Sequence, residues 1–423
     1  MGNRRVVITG IGMVTPLGVN AKSSWENLIQ CKSGITRIHR FDTSNLKCKI
    51  AGLVLHDSTL KIYSIRGHEL LVDSTDKKKD IFIQYGIIAA QEAIEDSGID
   101  LSNNEEVKDN TGVIIGTGLG GIQSTADNVI NLYINNKIST YFIPSILSNL
   151  ISGHISIMYG FRGPNQSVNS ACATGAQAIS DAARMIKCNE ANIMIAGGAE
   201  AAITDISMAG FNAIKALSTK YNDNPKAACR PWDKDRNGFV MSEGAGVVVL
   251  EELEHAKKRR AKIYAELTGY GLSSDAYHIT SPHPEGIGSQ IAMLKAIKNS
   301  KIHIGDIDYI NAHATSTKKG DLIELNAIKN LILKENSKVA ISSTKSSTGH
   351  LLGASGSIEI IFSALALQNQ VIPATLNLDN PIEEAKDINL VPNIPQECKI
   401  NHILSNSFGF GSTNVSIVLT KFA

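Results

Sequence analysis

Short β-branched runs alternate with longer helical patterns along this chain, and the alternation runs through twice. No other feature narrows the choice of fold as much, because strands separated by helices build the largely parallel sheet of an α/β protein. In the first half the pattern predicts strands near residues 6–9 and 113–116, one ending at Asn169 and one near 193–196, with helices near 81–97 and 173–187. The second half repeats the order. It predicts a strand ending at Gly269, a helix near 290–299, a strand near 309–312 and a helix near 322–333. A strand near 339–342, a helix near 351–367 and a strand near 403–406 follow. Ile8-Thr9-Gly10-Ile11-Gly12 echoes Leu267-Thr268-Gly269-Tyr270-Gly271, and each is read as a strand passing into a turn before a long helix. At 423 residues the chain is too long for one simple core, so it reads as two fused, duplicated units, 1–255 and 256–423.

In open α/β sheets reactive groups gather where strands end and helices begin. Cys172 stands at such a junction, in Gly163-Pro-Asn-Gln-Ser-Val-Asn-Ser-Ala-Cys-Ala-Thr-Gly-Ala-Gln-Ala-Ile179. Ser-Ala-Cys-Ala-Thr-Gly packs poorly but suits a turn into a helix. The positive end of a helix dipole lowers a thiol pKa below its free value of about 8.5, so an acidic, nucleophilic thiol is expected at Cys172. Helix amides also hold a developing oxyanion. His313, in Asn311-Ala-His-Ala-Thr-Ser-Thr317, and His350, in Ser343-Thr-Lys-Ser-Ser-Thr-Gly-His350, also occupy strand–helix junctions rich in Ser, Thr and Gly. Near the end of the chain, Asn406-Ser-Phe-Gly-Phe-Gly-Ser-Thr-Asn414 sets Phe408 and Phe410 among glycines, whose backbone adopts φ > 0 readily.

The Cys172 segment resembles the active-site signature of the β-ketoacyl-[acyl-carrier-protein] synthases of the thiolase superfamily. The two histidine segments and the phenylalanine loop resemble that family's other motifs. The resemblance spans nearly the whole chain, from Val6 to Gly411, and is nearest to the elongating type II synthases of bacterial fatty-acid synthesis. Initiating synthases carry Asn where this chain has His350. The implied fold is thiolase-like: duplicated βαβαβαββ halves in a five-layered α-β-α-β-α core, with the nucleophile in the first half and the histidines and gate loop in the second. The implied chemistry is a decarboxylative condensation. Cys172 holds an acyl chain, and His313 and His350 stabilise the enolate left when a malonyl thioester loses CO₂.

By the same resemblance, Lys345 is an electrostatic organiser paired with Glu359, and Thr315 and Thr317 support the site. Phe410, with Phe408 beside it, forms a gate, and the Phe410 amide joins that of Cys172 in an oxyanion hole. The implied partners are acyl carrier protein and a second copy of the chain. Lys77, Lys78, Lys137 and Lys220 fall in regions the family uses for carrier docking, although the stretch around 56–76 is longer than expected. Three positions depart from the family pattern: Ala314 replaces Gly, Lys318 replaces Pro, and Ser412 replaces the second Gly of the gate.

Composition excludes several other classes. Lys+Arg is 41 against Asp+Glu 40, which lacks the basic excess of a nucleic-acid binder. No apolar run approaches the ~18 residues of a membrane span. The six cysteines include no CxxC pair, so neither a disulfide framework nor a zinc site is expected, and a reducing cytoplasm is. Gly116-Thr-Gly-Leu-Gly-Gly121 fits a dinucleotide-binding pattern, but no acidic strand end follows about 20 residues later. Asp233-Lys-Asp-Arg-Asn-Gly238 opens like a calcium loop, yet its twelfth position is Gly244. Neither metal nor nicotinamide is expected. The rival readings are a polyketide ketosynthase, a nicotinamide oxidoreductase, and a non-catalytic ketosynthase partner, which would lack the cysteine.

Overall fold

Ten strands pair into one continuous sheet. In the first half these are β1 (Val6–Val14), β2 (Thr111–Gly116), β3 (Asn165–Gln166), β4 (Ile193–Glu200) and β5 (Gly244–Glu252). The second half supplies β6 (Ala265–Ser274), β7 (Tyr309–Asn311), β8 (Ala340–Ser342), β9 (His402–Gly409) and β10 (Thr413–Thr420). The computed structural model describes residues 4–54, 61–63, 69–71, 78–102 and 104–422, so Lys77 and most of the 56–76 stretch lie outside the described residues.

Strand order shows the duplication. The halves read β3-β2-β4-β5-β1 and β8-β7-β9-β10-β6, which is third, second, fourth, fifth, first in each. Directions match as well. β2 runs parallel to β3 and β4, and β5 antiparallel to β4 and β1. β7 runs parallel to β8 and β9, and β10 antiparallel to β9 and β6. The halves join through a short antiparallel β1–β6 ladder pairing Val7 with Glu266 and Ile8 with Ala265.

Helices complete the five layers. α1 (Ile81–Ser97) covers the outer face of the first half; Asp80 caps it, and Gly98, at φ 63°, ends it. α2 (Ile122–Asn135) lies beyond the end of β2. α3 (Thr174–Lys187) packs on β2, β4 and β5 and reaches β10. α4 (Ile287–Ser300) covers β6 and β10, and α5 (Lys318–Ile328) packs beside it. α6 (Ser355–Asn369) lies with α3 in the central layer, touching β5, β9 and β10.

The echoing glycine segments are strand interior, not turns. β1 continues to Val14 and β6 to Ser274, and both ladders shift register at the same place, between Ile8 and Gly10 and between Leu267 and Gly269. Close helix approach is the reason. A Cβ on Gly10 or Gly12 would stand 2.1 Å from the Ala93 or Ala89 carbonyl of α1, and one on Gly269 or Gly271 would stand 2.1 Å from the Ala296 or Ala292 carbonyl of α4. The strand expected to end at Asn169 is only the two-residue edge strand β3, because the chain then bends sharply to enter α3.

Candidate active site

Most site residues leave the carboxyl ends of parallel strands. Asn311, Ser342 and Ser405 sit level across β7, β8 and β9, so the chain beyond each strand turns into one space. His313 follows β7, Lys345 and His350 follow β8, and Phe408 and Phe410 lie at the end of β9. Cys172 enters that space from the other half, in a 3₁₀ turn, Ala171–Ala173, that opens α3. The turn has a counterpart in Leu352–Ala354, which opens α6, and the first residue of each adopts positive φ, 50° at Ala171 and 48° at Leu352. The two central helices therefore begin facing each other.

A cavity of about 580 Å³ brings these residues together. Cys172, His313, His350, Phe408 and Phe410 line it, with Thr315 and Thr317. The imidazoles of His313 and His350 meet edge to face, with centroids 5.3 Å apart. Phe408 leans on His313 at 5.8 Å, and Phe239 meets His350 edge-on at 5.3 Å. Thr315 and Thr317 bond to each other through their hydroxyls at 3.2 Å. Lys345 and Glu359 form a buried ion pair outside the cavity lining. Lys78, Lys137 and Lys220 are exposed and do not line the cavity, Lys78 standing 5.5 Å over the Tyr141 ring.

Electrostatics correct one expectation. Burial pushes the Cys172 thiol up to about 12, rather than the dipole drawing it down. Desolvation of a thiolate outweighs the partial charge of one helix end. Lys345 opposes the rise, as do the Phe410 and Cys172 amides, which reach the sulfur. The sulfur thus lies among the N–H groups that the resemblance assigns to an oxyanion hole. Both histidines are held well below their ordinary value, first by burial, then by Lys345, and His313 also by His350. Both imidazoles are therefore neutral at pH 7. Burial raises the Glu359 carboxyl to about 7 against the pull of Lys345.

Three supporting residues were not singled out from the sequence. Glu324 of α5, buried and raised by burial to about 7, accepts the His313 and Ala314 amides at 2.9 and 2.7 Å and fixes the first histidine turn. Its placement between Ile323 and Leu325, in an apolar stretch, was the available signal. Ser355 Oγ stands 2.9 Å from His350 Nδ1 and orients that ring. Glu200, at the end of β4, is fully buried and accepts the amides of Gly118, Leu119 and Gly353 at 2.8, 3.0 and 2.9 Å. The glycine-rich turn that resembled a dinucleotide loop therefore spends its amides on an internal carboxylate. Asp233, of the calcium-like segment, is likewise committed to Arg230 and to the Asp379 and Asn380 amides.

Comparisons with known proteins identify the family. Residues 3–256 match the family described as Beta-ketoacyl synthase, N-terminal domain, and residues 264–379 match Beta-ketoacyl synthase, C-terminal domain. The 3-oxoacyl-[acyl-carrier-protein] synthase 2 of Vibrio harveyi is 48% identical, with all of both chains covered. The mitochondrial 3-oxoacyl-[acyl-carrier-protein] synthase of Arabidopsis thaliana is 45% identical over 99% of this chain and 94% of that one. Among solved structures, a ketosynthase from a type II PKS, in complex with its acyl-carrier protein and bound to the hexaketide, superposes with a TM-score of 0.90. It is 30% identical and is covered completely, as is 99% of this chain. The chain belongs to the β-ketoacyl synthase family.

Proposed function

We propose that the chain elongates fatty acids by two carbons, as a 3-oxoacyl-[acyl-carrier-protein] synthase acting by decarboxylative Claisen condensation. The observation that carries this is the convergence on one cavity of Cys172, two neutral imidazoles and the amides of Cys172 and Phe410. The first half, 1–255, supplies the nucleophile, and the second, 256–423, the histidines and the gate.

Cys172 Sγ attacks an acyl thioester as an imidazole of the same cavity takes the thiol proton. The tetrahedral oxyanion rests on the Cys172 and Phe410 amides, and its collapse expels the carrier thiolate, which takes the proton back from the imidazolium and leaves as the thiol. Malonyl carrier protein then enters and its C–CO₂ bond breaks. The electron pair flows onto the thioester oxygen, where N–H groups of His313 and His350 receive the charge. The step needs the proton on His350 Nε2, and Ser355 Oγ, 2.9 Å from Nδ1, is placed to donate to that nitrogen in this tautomer. The enolate carbon attacks the acyl carbonyl held on Cys172, the oxyanion returns to the same two amides, and the Cys172 thiolate departs. The Lys345 ammonium, held in place by Glu359, adds to burial in favouring the neutral form of both imidazoles, which leaves their N–H groups ready to donate. Phe410 gates the acyl pocket with Phe408 beside it, and Thr315 and Thr317 support the channel.

The acyl carrier protein partner is strongly acidic, and the exposed Lys78, Lys137 and Lys220 are the cations offered to it. The working form is a homodimer. α2 has no buried residue and exposes Ile130, Tyr133 and Ile134 at 56, 86 and 74%, while β3 leaves a sheet edge open. Among the described residues no helix is long and apolar enough to cross a membrane, and the enzyme is assigned to the cytoplasm.

Intact-mass measurement with an acyl carrier thioester tests the reading. An acyl adduct is expected on the wild type and none on Cys172→Ala, followed by a β-ketoacyl product once malonyl carrier protein is added. Full adduct on Cys172→Ala removes the nucleophile, and release of a polyketide-length product from saturated primers favours the polyketide rival.

A further inference from the structure

The mouth of the cavity carries charge that the catalytic scheme does not use. Lys318 and Lys319 open α5 and line the cavity, and Lys215 lines it too. All three are exposed. Nearby carboxylates are turned elsewhere. Asp321 accepts the Thr317 and Trp232 amides at 3.1 and 3.0 Å and faces Arg236. Glu324 serves the His313 turn, and Asp275 accepts from Asn414 at 3.1 Å. Among the described residues the three ammonium groups have no ion-pair partner.

Stability does not account for this arrangement. Lysines in the first turn of a helix oppose its dipole at a cost of a few tenths of a kcal/mol each, and Lys318 stands where the family resemblance leads one to expect Pro. The backbone there is held firmly, because the Lys318 carbonyl accepts Arg236 Nη2 at 2.7 Å and the Thr317 carbonyl accepts Arg236 Nε at 3.2 Å. Two cations thus project from a fixed point at the entrance of a cavity whose floor is Cys172. A local rule broken on a rigid element beside a binding cavity marks a ligand contact.

Resting on the proposed function, the ligand follows from chemistry. A carrier presents its thioester at the end of a phosphopantetheine arm, which is uncharged except for its phosphodiester. With the thioester at Cys172, the arm fills the cavity and the phosphodiester is left at the mouth. We propose that Lys318 and Lys319 receive that phosphodiester and so select substrates borne on a phosphorylated arm. Lysine serves an anion of this kind as a point charge.

The test compares an acyl-phosphopantetheine, an acyl-pantetheine lacking phosphate, and the acyl carrier protein on wild type and on the variant Lys318→Glu/Lys319→Glu. KM for the acyl-phosphopantetheine should rise about three- to tenfold relative to that for the acyl-pantetheine, as exposed charge pairs allow. Lys318→Gln/Lys319→Gln should show a smaller rise in the same ratio, and added salt should bring the wild type toward the variants. Unchanged circular dichroism verifies the fold, and the Gln pair stands in if the Glu pair unfolds. An unchanged ratio overturns the proposal. So does a rise confined to the carrier protein, which would mean that the lysines meet carboxylates of the carrier instead. Failure of the wild type to form an adduct with any of the three donors would instead count against the Cys172 reading.

Discussion

His313 and His350 stand edge to face, with ring centroids 5.3 Å apart and planes at 86°, although they leave the ends of different strands. Each depresses its own charge through burial, and the nearby Lys345 adds to the effect. Two neutral donors on one oxygen suit an enolate better than a single cation, because neither must give up a proton.

This pairing makes the histidines separable from the cysteine. His313→Ala and His350→Ala should each lower malonyl decarboxylation by ~10²-fold or more, the loss typical of one oxyanion donor. Acylation of Cys172 should slow less, because either remaining imidazole can take the thiol proton. Single-turnover mass measurement of the adduct, alongside CO₂ release, checks this. Intact decarboxylation with lost acylation would reverse the roles.

The resting thiol should titrate high. With the Cys172 thiol pushed by burial to about 12, its thiolate fraction grows about tenfold per pH unit between pH 7 and 10. Iodoacetamide alkylation rates, read by intact mass in that window, should follow the same slope. A plateau reached by pH 8.5 would mean that the helix end and Lys345 outweigh desolvation.

Lys345 and Glu359 should behave as a unit. Lys345→Met strands a buried carboxylate and should cost about 3–5 kcal/mol in denaturant unfolding. Lys345→Met with Glu359→Gln should recover most of that stability but not the condensation rate. The sign with pH follows from the raised Glu359 carboxyl. The folded state holds a proton between about 4.5 and 7 that the unfolded state has lost, so Glu359 makes wild-type stability fall as pH rises through that window. In Glu359→Gln the slope there should be shallower, and an unchanged slope contradicts the assignment.

Gate and oxyanion hole share a backbone. A Cβ on Gly409 would lie 2.5 Å from the Ser170 carbonyl and 3.2 Å from the Cys172 amide nitrogen, so Gly409→Ala should shift the two amides and slow acylation ~10–100-fold. Ser412 holds φ 67° and donates to the His278 carbonyl at 3.1 Å, beside a Gly411 amide bonded to the Ile279 carbonyl at 2.7 Å. Ser412→Gly removes one tether and one strained side chain, so hydrogen exchange at 409–414 should quicken while global stability stays within ~1 kcal/mol. Unaltered exchange would show that the serine does not restrain the gate.

The exposed apolar face of α2 predicts association. Light scattering at micromolar concentration should report a dimer for the wild type and a monomer for Ile130→Asp/Ile134→Asp, at two of the exposed apolar positions. A wild type found only as a monomer ends the dimer reading.

The cysteine, both histidines and the duplicated α/β order were legible in the chain because each rests on local pattern: a strand period, a helix start, a turn rich in small residues. The glycine echoes were legible as a repeat and misread as turns, because only the crossing of α1 over β1 and of α4 over β6 shows that those glycines make room for a helix. The acidity of Cys172 was misjudged for the same kind of reason. A helix end is local and readable, whereas the desolvation that overrides it comes from side chains far apart in sequence. Glu200 belongs to that second class, since its partner Gly353 lies 153 positions away and meets it only when the two halves close; Glu324 and Ser355 reach His313 and His350 over 11 and 5 positions, but only the folded turns aim them there. Sequence by itself determined which residues the motifs single out, and Cys172, His313 and His350 all line one cavity. Tertiary structure decided their charge states and what holds them in line, because burial and long-range hydrogen bonds exist only after the central helices have packed between the two halves of the sheet.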